Sequence, residues 1–201
     1  PDVGLLYKKE IYIQDIGDGG CKSDKFERDM RLLIKGIEDE PNNGRYHFYL
    51  AQTCKDLGKF KESIKLYKKR IKIGGWVEEV WYSYYMIAKC YINLGDINKA
   101  ELWGNRAYEF RKSRAEPLYL LCNLFRERSQ HFKAYYYYKL GKDIPESNDA
   151  LFVEKNITNY LFNYENTILH YWIFENDKLN GLKYIVNYLN NFNYYENNVL
   201  N

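Results

Sequence analysis

The chain has 201 residues, with 30 Lys and Arg set against 27 Asp and Glu for a formal net charge of +3. That balance argues against a dedicated nucleic-acid binder, which concentrates its cations on one face. No apolar run approaches the ~20 residues needed to span a bilayer. Aromatic content is high at 18%, with 22 Tyr and only 10 Phe. Such rings are expected to fill layers between packed helices while their hydroxyls reach water; a Tyr-lined carbohydrate or peptide groove is the alternative.

Residues 1–23 read differently from the rest. Glu10 to Ile16 alternates as a strand does, and Gly17-Asp18-Gly19-Gly20 breaks it. The chain opens at Pro1 with neither an initiating Met nor a signal peptide, so a longer parent polypeptide is expected. Asp24 and Glu27 form a capping-box-like start to a helix ending near Asp39, with Phe26, Met30, Leu33, Ile34 and Ile37 on one face. It reads as the second helix of an incomplete repeat, stopped at Pro41.

Three longer stretches then share one layout. Ala51, Gly58 and Ser63 recur as Ala88, Gly95 and Ala100, 37 residues on, and as Cys122, Ser129 and Ala134 after a further 34. A small residue on a first helix, a break seven positions later and a small residue five beyond that is the tetratricopeptide arrangement. The small residues allow two antiparallel helices to approach closely, and the break supplies the left-handed position ending the first. The expected pairs are 44–57 with 60–72, 78–94 with 97–110, and a helix opened by Ser113-Arg114-Ala115-Glu116 as a capping box, paired with 131–142. Beyond Asn148 helices are expected over 149–162, 165–175 and 178–191, with a fraying Asn-rich end. The predicted fold class is therefore all-α, a tetratricopeptide-like helical-repeat solenoid preceded by a short non-helical or β segment. Residues 24–145 hold the repeats and 146–201 form a C-terminal helical extension.

In this geometry the first helix of each repeat lines the concave face. The expected wall is Arg45, Phe48, Gln52 and Asp56 from the first repeat, Tyr82, Tyr85 and Lys89 from the second, and Glu116, Tyr119, Asn123 and Arg126 from the third. Mixed aromatic and polar groups of this kind suit hydrogen bonding and stacking against a peptide or sugar. The rival reading is an ordinary solvated face whose ion pairs each contribute about 0–1 kcal/mol.

Catalytic patterns are scarce. His47, His131 and His170 lie at neither metal-ligand nor triad spacing, and Glu78-Glu79 and Asp39-Glu40 are explained by helix dipoles. The glycines of residues 17–20 match no phosphate-binding fingerprint. Cys21, Cys54, Cys90 and Cys122 form no CxxC pair, and three fall on first helices as small buried hydrophobes. A reducing, cytoplasmic location is expected.

Specific strings add a resemblance. Gly74-Gly75-Trp76-Val77-Glu78-Glu79, Ser113-Arg114-Ala115-Glu116-Pro117-Leu118-Tyr119 and Leu151-Phe152-Val153-Glu154-Lys155 stand out. Over residues 15–191 the chain resembles the tetratricopeptide-like region that follows the catalytic domain in family-two-type (GT-A) glycosyltransferases of bacteria and large DNA viruses. The resemblance implies that 1–23 is the exit from such a domain and that Asp18, Lys22 and Lys25 approach the phosphates of a nucleotide-sugar donor, or only cap the next helix. It places a divalent metal, Mn or Mg, on an Asp-x-Asp motif upstream, and no cofactor or metal in this segment. The repeats would then dock a peptide or glycan acceptor beside the upstream catalytic domain. The alternative is a stand-alone protein-interaction module without catalysis; a homo-oligomer paired through the Tyr-rich last helices is a third expectation.

Overall fold

The computed structural model describes residues 25–174 together with Lys183, Val186 and Leu189, three exposed helical positions within the expected 178–191 helix. Expectations for residues 1–24, including Asp18, Lys22 and the Asp24 cap, and for the Asn-rich end lie outside the described residues.

Within residues 25–174 eight α-helices follow one another: α1 (Lys25–Asp39), α2 (Gly44–Asp56), α3 (Phe60–Ile73), α4 (Val77–Asn93), α5 (Ile97–Phe110), α6 (Glu116–Glu127), α7 (His131–Gly141) and α8 (Phe162–Ile173). No strand occurs among the described residues. Each helix from α1 to α8 packs on the next, and α2 also touches α4 while α6 touches α8. This is the connectivity of a solenoid whose first helices stand side by side.

The repeat positions behave as their chemistry requires. Ala51, Ala88 and Cys122 on the first helices, and Ser63, Ala100 and Ala134 on the second, are all fully buried. Gly58 and Gly95 adopt φ of +73° and +75°, and Ser129 takes the same left-handed turn at 56°. Asn43 caps α2 by accepting from the Arg45 amide at 3.1 Å, and Asp96 caps α5 by accepting from Lys99 at 3.1 Å. On α1, Phe26, Met30, Leu33 and Ile37 are half-buried, whereas Ile34 is exposed.

The core forms two clusters. One gathers Phe48, Tyr67, Trp81, Tyr85, Met86 and Trp103 from the first two repeats; the other gathers Leu118, Leu121, Phe125, Tyr137, Ile157, Phe162 and Leu169. Gly104 allows α5 to approach α6, since a Cβ there would sit 3.0 Å from Leu121. A buried ion pair, Arg70 to Glu79 at 3.1 Å, ties the first repeat to the second. Glu79 thus does more than complement a helix dipole.

Two local expectations are corrected. Ser113 does not cap α6: the N-cap is Ala115, without a side-chain hydrogen bond. Glu116 instead turns to Arg114, whose buried guanidinium attracts the carboxylate more strongly than a backbone amide does. Nor does a helix cover 149–162. The chain runs without regular structure from Ile144 to Glu154, and becomes helical only from Lys155. A π-helical turn (Ile157–Leu161) then merges into α8, with no break near residue 163.

Candidate functional site

The irregular stretch 146–154 crosses the wall formed by α2, α4 and α6, and is called the strap below. Its backbone is read by side chains of the wall. The Leu151 amide donates to Glu78 Oε2 at 2.8 Å, and the Glu154 amide donates to Glu116 Oε1 at 3.3 Å. Arg114 donates through Nη1 to the Leu151 carbonyl at 3.3 Å and through Nη2 to the Phe152 carbonyl.

Its side chains are read as well. The Phe152 ring stacks on Tyr82 with centroids 4.0 Å apart and leans on Phe48 at 5.8 Å. Glu154 accepts from the Tyr85 hydroxyl at 3.1 Å and from the Lys89 ammonium at 3.2 Å. Asp149 pairs with Arg111, and with Arg114 Nη1 at 2.7 Å. Farther along, buried Glu165 of α8 accepts from Asn123 at 3.0 Å and pairs with Arg126.

Arg114 is the hub. Its side chain is 0% exposed, it grips Glu116 through Nε and Nη2, and its guanidinium lies 3.7 Å from the centre of the Trp81 ring. Burial opposes its charge, but the hydrogen bonds and charges of Glu116 and Asp149 more than offset this and raise its pKa. Burial, followed by the nearby Glu154 carboxylate, pushes the Tyr82 phenol up to about 12, and moves Tyr85 well above the usual range. Burial and then Glu165 raise Tyr119 as well.

Phe152 holds this place at a conformational cost. Its φ is 63°, in the left-handed region that disfavours a bulky side chain by roughly 1–2 kcal/mol.

The expected wall residues therefore divide. Phe48, Tyr82, Tyr85, Lys89, Glu116, Asn123 and Arg126 all engage residues C-terminal to Pro145, and Tyr119 meets the Phe162 ring edge-on at 5.6 Å. Arg45, Gln52 and Asp56 do not. Arg45 is exposed, donates to the Tyr49 hydroxyl at 3.1 Å and lies 3.8 Å from Glu79. Gln52 and Asp56 line an open cleft of about 380 Å³ between α1 and α2, with Leu32, Leu33, Tyr49 and Asp29. Lys25 is exposed at the first position of α1.

Glu78, Arg111, Arg114, Asp149, Phe152, Glu154 and Glu165 join the wall and its cover without being expected there. Arg114 and the Phe152-Val153-Glu154 string stood in view as conspicuous motifs. A cation just before a helix N-terminus, where the dipole disfavours it, was the available signal.

The described thiols are poor nucleophiles. Cys54, Cys90 and Cys122 are free and buried, and burial pushes each thiol up, away from the reactive thiolate. Among the described residues no cluster of His, Cys, Asp and Glu could hold a metal, and no helix is long and apolar enough to cross a membrane.

Residues 44–73 and 82–113 match the tetratricopeptide repeat family model. The fold is tetratricopeptide-like. Similar solved structures include MamA, at 20% identity with a TM-score of 0.68, covering 93% of this chain and 99% of that one. A MamA from Desulfovibrio magneticus RS-1 is 13% identical with a TM-score of 0.60, covering 84% and 86%. YrrB, described as a TPR protein with an unusual peptide-binding site, is 12% identical with a TM-score of 0.58, covering 84% and 78%. No curated protein sequence matches the chain.

Proposed function

We propose that this chain is a protein-interaction module that binds extended polypeptide along the wall of α2, α4 and α6. The observation behind this reading is the strap itself. Glu78, Glu116 and Arg114 address backbone amides and carbonyls, a pattern that every extended polypeptide repeats along its length. Specificity then comes from an aromatic seat at Phe48 and Tyr82 and a basic seat at Lys89. This is how extended peptides are taken elsewhere: main-chain bonds supply affinity and side-chain seats supply selection.

Glycosyl transfer by a longer parent rests on the sequence resemblance alone, with no counterpart among the comparisons. The donor and metal motifs it would require are not part of this sequence. The interaction reading accounts for the repeat match and for the architecture shared with other tetratricopeptide proteins, including one described by its peptide-binding site.

The test is selection of random twelve-residue linear peptides displayed on phage against the immobilised full chain. Enriched peptides should lose at least tenfold in affinity for the double variant Gln52→Ala/Lys89→Glu, which alters the open and the covered parts of the wall together. Failure to enrich any sequence, or binding indifferent to that variant, would reject the reading.

A further inference from the structure

We propose that the strap is a displaceable occupant of the wall, and that the partner is a separate polypeptide carrying an Asp-x-x-Phe-x-Glu sequence; this rests on the reading of the wall as a polypeptide-binding surface.

Charge and shape choose that chemistry. The seats facing the strap are cationic at both ends, with Arg111 and Arg114 around Asp149 and Lys89 against Glu154, and aromatic between them at Phe48 and Tyr82. An acidic, aromatic, acidic ligand of the same spacing complements them.

The strap is also held in a way that a competitor could improve upon. Tethered between α7 and the π-helical turn, it reaches its aromatic seat only with Phe152 at φ 63°. A separate peptide has no such tether and can offer its ring from an unstrained backbone. The strap's side chains are exposed or half-buried except for the Asp149 carboxylate, buried between Arg111 and Arg114, whereas the helix that follows is anchored in the core by Ile157, Phe162 and Leu169. Leaving the wall therefore uncovers Phe48 and Tyr85 at the edge of the first cluster, seats that an entering peptide covers again, and leaves the second cluster closed.

A fluorescein-labelled peptide of residues 147–156, titrated against the full chain and read by anisotropy, tests this. Phe152→Ala should bind it at least tenfold more tightly than the wild type, because its own strap competes less well. Replacing the peptide's phenylalanine with alanine should weaken binding at least tenfold. Glu154→Ala, which releases Tyr85 and Lys89 but leaves the aromatic seat intact, is a second opened variant should Phe152→Ala fail to fold.

Undetectable binding to a folded opened variant, or equal binding to it and the wild type, overturns the proposal. Phage-selected peptides that still bind in that case leave the broader reading standing. A light-scattering mass near twice 24.2 kDa for the wild type, falling to monomer in Phe152→Ala, would assign the wall to a second copy exchanging straps. That outcome also overturns the proposal.

Discussion

Replacing Arg114 with methionine isolates the charge at the hub of the strap. Methionine keeps an unbranched stem over Trp81 but removes the guanidinium donors that now serve Glu116, Asp149 and the carbonyls of Leu151 and Phe152. Asp149 retains Arg111. Glu116, only 4% exposed, loses its one ion-pair partner among the described residues. Removing one member of a buried pair costs about 3–5 kcal/mol, most of it the penalty of the stranded charge. For a chain of this size that is a fall in Tm of roughly 6–20 °C. Urea denaturation of the full chain measures the loss directly. The double variant Arg114→Met/Glu116→Gln should be more stable than the single one, because a neutral amide replaces the stranded carboxylate. A loss under about 1 kcal/mol, or a double variant less stable than the single, would refute the reasoning.

Three further outcomes are expected. Gly141→Ala should lose about 1–3 kcal/mol in the same assay, since its Cβ would lie 2.5 Å from Phe162 Cζ and 3.1 Å from Leu118 Cβ. Ser129→Gly should gain up to about 1 kcal/mol, while Gly58→Ala loses about 1–2 kcal/mol, because both positions turn left-handed and only one now has the residue that suits it. Tyr82 is raised to about 12 and Tyr67, Tyr85, Tyr119 and Tyr137 are raised as well, burial coming first in each case. The folded state keeps these protons that the unfolded chain releases near pH 10, so stability is full below pH 10 and falls as pH rises toward 12; ultraviolet tyrosinate absorbance should then rise together with loss of helical circular dichroism, and smooth ionisation of a still-helical chain would contradict this.

The repeats were readable because each is a local pattern. Ala51, Gly58 and Ser63 encode one helix hairpin, and their recurrence at Ala88 and Cys122 repeats the instruction. Wall positions followed from the same period, so Tyr82, Tyr85, Lys89 and Asn123 could be placed on first helices without coordinates. What covers them could not be. Asp149, Phe152 and Glu154 have no periodicity of their own, and their partners lie far away: Glu154 is 69 residues from Tyr85. Residues 149–154 invited a helix because neither Gly nor Pro interrupts them; wall side chains bind their amides and carbonyls instead, and that competition is tertiary.

The division of the core into two clusters has a mechanical consequence. Stacked repeats touch mainly their neighbours, so the angle between successive hairpins is the solenoid's softest coordinate. Phe152 rests on the first cluster, and five residues later Ile157 is sunk in the second. The strap thus spans the joint between the two halves, and its presence is expected to restrain their relative tilt. A molecule without that restraint bends more freely at the seam where Gly104 meets Leu121. Occupancy of the inner wall would then be felt on the outer face as a change of curvature, carrying a signal to a surface the ligand never touches.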